Sequence, residues 1–417
     1  MKKIFITAFV AYIIYAILIS AYLFMWADTS LPENYIGSAA DPQTFMTERE
    51  LFISEQYSKI RDVLFFITIP FEWLMYFAIL VFGLSDRFQK WAGAITRSFI
   101  PQGVIYFFWL SLAVTLVTFP LSYLRYWLSK SYDITVQSFS SWMRDYIIDF
   151  WVNYAIMAAV VVVLYWLIKK SRKRWWLYGW LLSIPFTLFM TFINPVVIDP
   201  LYNDFYPLKD KELEAKILAI ADTANIPAEH VFEVNMSTKT NAMNAYVTGI
   251  GSNARIVLWD TTLNKLSEDE VLFIMAHEMA HWVMKHVLYG TIGYMFVTLL
   301  GLFTIHLLFA RVCRVFSIED VVEWRSLPVF LLLISILSFS FSPISNAVSR
   351  HEELAADRYA IEITGNQSAA VTSFQALAKT SLRQVNPPYI VKLFRYAHPT
   401  MMERLYFLEN YKRETTE

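Results

Sequence analysis

Three residues on one short stretch could carry metal chemistry. His277, Glu278 and His281 lie in the run Val271-Leu-Phe-Ile-Met-Ala-His277-Glu278-Met-Ala-His281, an H-E-x-x-H pattern. Histidines four apart project from one face of an α-helix, so both imidazoles can reach one ion. The glutamate beside the first is then placed to act as a base on water next to the metal. Such a pair also occurs as core or solvated histidines on ordinary amphipathic helices, so the helical context matters. A catalytic zinc usually takes a third protein ligand. The run Ser349-Arg-His-Glu-Glu-Leu-Ala-Ala-Asp-Arg-Tyr-Ala360 offers Glu352, Glu353 and Asp357, of which 353 and 357 share a helical face. Chemistry alone does not choose between Glu352 and Glu353.

Local signals say what must hold these groups. Ser267-Glu-Asp-Glu270 reads as a capping box, and the apolar run behind it contains no Pro or Gly, so the motif falls about three turns into a well-started helix. That helix is expected to run on through Trp282 and His286 into a membrane span. Helical period marks the segment from Lys209, while Val231–Val234, Asn244–Gly249 and Arg255–Asp260 read as short strands of a small sheet beside the metal helix. A substrate backbone could add to such a sheet as an extra strand. His230, His286, His306 and His351 read as structural or surface residues.

The rest of the chain is built for a bilayer. Of 417 residues, 56% are hydrophobic and only 17% charged, with a mean hydropathy of +0.41. Apolar stretches near 4–26, 63–84, 99–124, 148–168, 175–197, 287–310 and 327–347 each approach the roughly 20 residues that span a hydrocarbon core. The expected fold is mainly α: a seven-span helical membrane protein with an embedded zincin-like α+β metallopeptidase domain. Its parts are five spans over 1–197, a metallopeptidase region with the H-E-x-x-H helix over 198–286, two further spans over 287–348, and the remainder of the peptidase domain over 349–417. Two spans returning the chain to the same side would bring the two motifs together.

Charge and cysteine content exclude other classes. The net charge of −1 and the lack of a basic stripe argue against a nucleic-acid partner, and the lone Cys313 rules out an internal disulfide or a thiolate cage. Met1-Lys-Lys precedes an apolar run without a small-residue cleavage site, which reads as a retained anchor. Lys2, Lys3, Arg87, Lys90, Arg97 and the five basic residues of 169–174 fall on one side of a seven-span arrangement. The positive-inside rule makes that side cytoplasmic and the catalytic face extracytoplasmic. Glu72 within the second span is an intramembrane ionisable group, and such groups often mark function.

Taken together, H-E-x-x-H at 277–281, E-x-x-x-D at 353–357, Asn194-Pro-Val-Val-Ile-Asp-Pro-Leu-Tyr-Asn-Asp-Phe-Tyr-Pro-Leu208, Asn244-Ala-Tyr, Arg255-Ile-Val-Leu-Trp-Asp260 and His398-Pro resemble the type I CAAX prenyl endopeptidases over most of the chain. The resemblance implies a gluzincin with one Zn2+ per chain held by His277, His281 and Glu353. It implies Glu278 as catalytic base, Asp357 as the residue orienting a ligand imidazole, His398 and Arg404 at the oxyanion, and Asn244 on the substrate-binding strand. The expected activity is hydrolysis of peptide bonds in membrane-associated or lipidated peptides. The partners are a peptide or protein substrate and membrane lipid. That family's catalytic face is described toward the cytosol, opposite to what the loop charges here indicate. The rival functions are an inactive membrane scaffold and a transporter, separable by turnover and by zinc content.

Overall fold

A computed structural model describes residues 1–248 and 254–412. Its helices are α1 (Lys2–Ala21), α2 (Glu48–Val81), α3 (Leu84–Ile95), α4 (Phe99–Ser131), α5 (Phe139–Lys170), α6 (Trp175–Ile193) and α7 (Lys211–Thr223). After these come α8 (Asp260–Lys265), α9 (Glu268–Val283), α10 (His286–Val315), α11 (Leu327–Thr364), α12 (Gln367–Thr380), α13 (Tyr389–Arg395) and α14 (Met401–Glu409). Among the described residues, six helices are long and apolar enough to cross a membrane: α1 with its π-helical continuation to Trp26, α2, α4, α5, α10 and α11. The remaining stretch expected to span is α6, a 19-residue apolar helix.

Several of these helices exceed the bilayer. At 1.5 Å per residue the 34 residues of α2 run about 51 Å, against a core of about 30 Å. The surplus projects as polar, capped turns. Thr47 and Glu50 close a capping box at the start of α2, with Thr47 N donating to Glu50 Oε2 at 2.7 Å. Pro70, Pro120 and Pro343 lie inside membrane helices and Pro185 inside the apolar α6, where neighbouring helices tolerate the lost backbone bond.

The connections segregate by end. Arg172 forks onto Asp320 at 2.9 and 2.8 Å, and Arg325 pairs with Asp86 at 2.8 Å, so loops 82–98, 171–174 and 316–326 gather at one end. At the other, Asn241 N donates to Ile134 O at 2.9 Å and Ala39 N to Glu409 Oε2 at 3.0 Å, tying the remaining loops to the sheet-bearing part of the chain and its C-terminal helix. Between the ends an aromatic core fills the bundle. Trp324 stacks on Tyr165 and Phe99, both at 4.7 Å between centroids, and lies over Gly103, the one residue small enough to admit its ring.

The soluble part holds a four-stranded sheet of order β1-β2-β4-β3, made of β1 (Phe205–Pro207), β2 (Val231–Val234), β3 (Ala245–Thr248) and β4 (Arg255–Trp259). β2 and β4 run parallel; the outer strands are antiparallel to their neighbours. β3 is therefore an edge, and it packs against α9. The strand expected over Asn244–Gly249 is present from Ala245 to Thr248, and Gly249 lies outside the described residues. Asp260 begins α8 instead of ending a strand, and β1 carried no alternating pattern long enough to show in the sequence.

Candidate metal centre

α9 starts where the sequence says it should, with Ser267 N donating to Glu270 Oε2 at 2.7 Å. It does not continue into the membrane. Lys285 adopts a left-handed conformation, φ 56°, between α9 and α10, so the metal helix and the next span are separate elements. α11 does the reverse: its 38 residues join the last span and the acidic segment without a break. The α10–α11 hairpin delivers Glu353 to α9.

Three ligand-capable groups converge there. The Nε2 atoms of His277 and His281 are 3.3 Å apart, His277 Nε2 is 3.3 Å from Glu353 Oε2, and His281 Nε2 is 3.5 Å from Glu353 Oε1. Glu353 is buried and its Oε2 makes no hydrogen bond, an acceptor left open in the interior. Glu352 forms no part of this group. The remaining imidazole nitrogens are anchored elsewhere: His277 Nδ1 meets Asp357 Oδ1 at 2.9 Å, and His281 Nδ1 meets His286 Nδ1 at 2.9 Å. Sequence reading placed His286 away from the site. Nothing in a lysine at 285 signals the positive φ that turns the next residue back onto His281.

Asp357 is itself held. Arg404 on α14 donates from Nε to Oδ2 at 2.8 Å and from Nη2 to Oδ1 at 2.6 Å, while its guanidinium lies 3.9 Å over the Phe374 ring. Its fork thus faces Asp357, with Nη2 3.5 Å from Glu353 Oε2. His398 is half exposed and approaches Glu353 Oε1 at 3.3 Å. A cavity of about 110 Å³ opens over the group, bordered by Glu278, His398, Arg383 and Asn244. Asn244 immediately precedes the edge strand β3, its carbonyl accepting from Thr262 Oγ1 at 2.8 Å and from Trp259 N at 3.1 Å.

Electrostatics suit a base beside a cation. Burial pushes Glu278 up to about 7, against the pull of His277. His277 loses by burial but gains more from the carboxylates of Asp357 and Glu353 beside it, ending at about 9; burial and the neighbouring His277 charge take His281 down to about 4. A dication bound between the two rings would hold both of them neutral.

A membrane-embedded metallopeptidase is the class that this bundle and site define. Residues 207–412 match the model of peptidase family M48, and 38–204 match that of the CAAX prenyl protease N-terminal region with five membrane helices. An uncharacterized metalloprotease of Bacillus subtilis, YhfN, is 52% identical over 98% of this chain and 97% of its own. CAAX prenyl protease 1 of Saccharomyces cerevisiae is 29% identical over 82% and 78%. The crystal structure of S. mikatae Ste24p superposes with a TM-score of 0.81 over 97% of each chain at 24% identity, a likeness of fold. The chain belongs to the M48, type I CAAX prenyl protease family and is an integral, multi-pass membrane metalloprotease.

Proposed function

We propose that the chain is a zinc endopeptidase, one Zn2+ per molecule held by His277, His281 and Glu353, that cuts peptides presented at the membrane, lipidated or not. The observation that carries this is the spacing of the three donors. Ligands about 2.0–2.2 Å from a tetrahedral zinc lie about 3.3–3.5 Å from one another; the two Nε2 atoms are 3.3 Å apart, and each meets a different oxygen of the Glu353 carboxylate, at 3.3 Å from His277 and 3.5 Å from His281. A mixed nitrogen and carboxylate set without thiolate suits zinc. The open Oε2 of Glu353 is the buried acceptor that an ion would satisfy.

When bound, zinc supplies Lewis-acid polarisation of a carbonyl and a lower pKa for water, toward about 7. Glu278 takes the proton from the attacking water and returns it to the leaving amine, one residue serving as base and then acid. His398, half exposed at the cavity, donates toward the developing oxyanion. Arg404 is better placed to act through Asp357, which in turn keeps Nε2 of His277 free for metal by accepting from Nδ1–H. Asn244 lies where a substrate backbone would pair with the edge of β3.

The end that gathers Arg87, Lys90, Arg97 and Lys169–Arg174 faces the cytoplasm in this proposal, which puts the metal centre outside it. Substrates are then membrane or secreted chains. The deciding experiment is cleavage of a matched farnesylated and unmodified peptide pair by the detergent-purified protein, with Glu278→Gln and chelator as controls. Cleavage lost in both controls is expected, and the ratio within the pair reads the lipid preference. Full activity in Glu278→Gln would overturn the mechanism.

A further inference from the structure

The two histidines of the metal centre are anchored by different chemistry. Nδ1 of His277 faces the carboxylate of Asp357 at 2.9 Å, which Arg404 also holds. Nδ1 of His281 faces a second imidazole, Nδ1 of His286, at 2.9 Å, with the ring centroids 5.0 Å apart. His286 lies outside the group of three donors. It touches a ligand without belonging to the ligand set.

A distortion of the backbone makes that contact. In an unbroken α-helix each residue advances about 100°, so a side chain five positions on points about 140° away from His281. Lys285 interrupts the helix at φ 56°, ψ 31°, a left-handed conformation that is unfavourable for a residue with a side chain. The lysine is itself exposed, and so are Val287, Leu288 and Tyr289 in the first turn of α10. Neither a buried lysine nor a packed first turn accounts for the break. Its effect is to turn His286 back onto His281, and strain of this kind beside a site points to a role in it.

Two facing Nδ1 atoms of neutral rings share a single hydrogen. A neutral imidazole donates from one nitrogen and accepts at the other, and the nitrogen that binds a metal is the free one. Nε2 of His281 is the atom directed at the other donors, 3.3 Å from His277 Nε2 and 3.5 Å from Glu353 Oε1. The proton of His281 then lies on Nδ1 and is donated to Nδ1 of His286, whose own proton sits on Nε2. The opposite tautomer would place a hydrogen among the three donors, where it blocks an ion.

We infer that His286 is the positioning residue of His281: it accepts the Nδ1–H of that ring, keeps Nε2 free for the metal, and ties the detached metal helix to the head of the next span at the ligand itself. This rests on the zinc reading above. The test is the zinc affinity of the full-length protein in detergent, read by competition with a calibrated chelator. His286→Phe keeps a ring without the acceptor and is expected to weaken binding roughly 10- to 100-fold, the usual worth of a group that orients a ligand histidine. His286→Asn puts a carbonyl oxygen where Nδ1 lay and restores most of the affinity. His286→Gln, whose oxygen falls where Nε2 lay, does not. The visible absorption of the Co2+-loaded protein, which reports ligand geometry, changes in the Phe and Gln variants and is kept in Asn.

Unchanged affinity in the Phe and Gln variants, or an Asn variant no better than Gln, would overturn the inference. So would affinities that simply track the unfolding midpoints of the metal-free variants, since His286 would then be a packing residue. Should His286→Phe not fold, the comparison of Asn with Gln decides alone. Cleavage assays on the same preparations separate the two readings. The expected order of affinities without cleavage by the unsubstituted protein sinks the peptidase and not the positioning role; cleavage with equal affinities sinks the positioning role alone. Zinc absent from the unsubstituted protein sinks both.

Discussion

Asp357→Asn changes one atom and should damage two properties at once. The carboxylate is 0% exposed and accepts three hydrogen bonds, two from Arg404 at 2.6 and 2.8 Å and one from His277 Nδ1 at 2.9 Å. An amide of the same shape has one acceptor. Whichever way it is flipped, its NH2 faces a donor, either the Nε–H of Arg404 or the pair formed by Nη2–H and the imidazole N–H. Loss of the group that orients a ligand histidine costs about 10- to 100-fold in metal affinity, or about 1.4–2.8 kcal/mol. Arg404 is only 4% exposed, and removing one partner of a buried pair costs about 3–5 kcal/mol. The stability loss is therefore the larger effect and should appear even without metal. Zinc competition against a calibrated chelator reads the first quantity and thermal unfolding of metal-free protein in detergent the second. An unchanged unfolding midpoint for the metal-free variant would refute the reasoning, because the Arg404 charge would then not depend on Asp357.

Glu278 must be ionised to take a proton, and burial holds it near 7, so kcat/KM should fall as pH drops through and below that value. A bound dication favours the carboxylate and shifts the limb lower; activity that rises as pH falls from 8 to 5 would exclude Glu278 as the titrating base. Gly103→Ala would put a Cβ 2.4 Å from the Trp324 ring, and should lower stability by about 1–3 kcal/mol in detergent unfolding with little change in zinc content. A cysteine at exposed Glu212 on α7, in a Cys313→Ala background, should react with a membrane-impermeant thiol reagent in intact cells. Labelling only after lysis would reverse the proposed orientation.

What the sequence discloses and what it conceals divide along the range of the interactions. The H-E-x-x-H helix was legible because its period, its Ser267 cap and its two candidate ligands lie within a few turns of one another. The third candidate ligand was legible only as a choice between Glu352 and Glu353, since the sequence does not show which face of α11 meets α9. The break at Lys285 had no signal, because local propensity does not place a lysine in the left-handed region. That break makes the two sides of the centre unequal. His277 and His281 ride on a 16-residue helix detached from its span, whereas Glu353 sits on a helix continuous with the membrane. One link across the break is His286, which begins α10 and meets His281 at 2.9 Å.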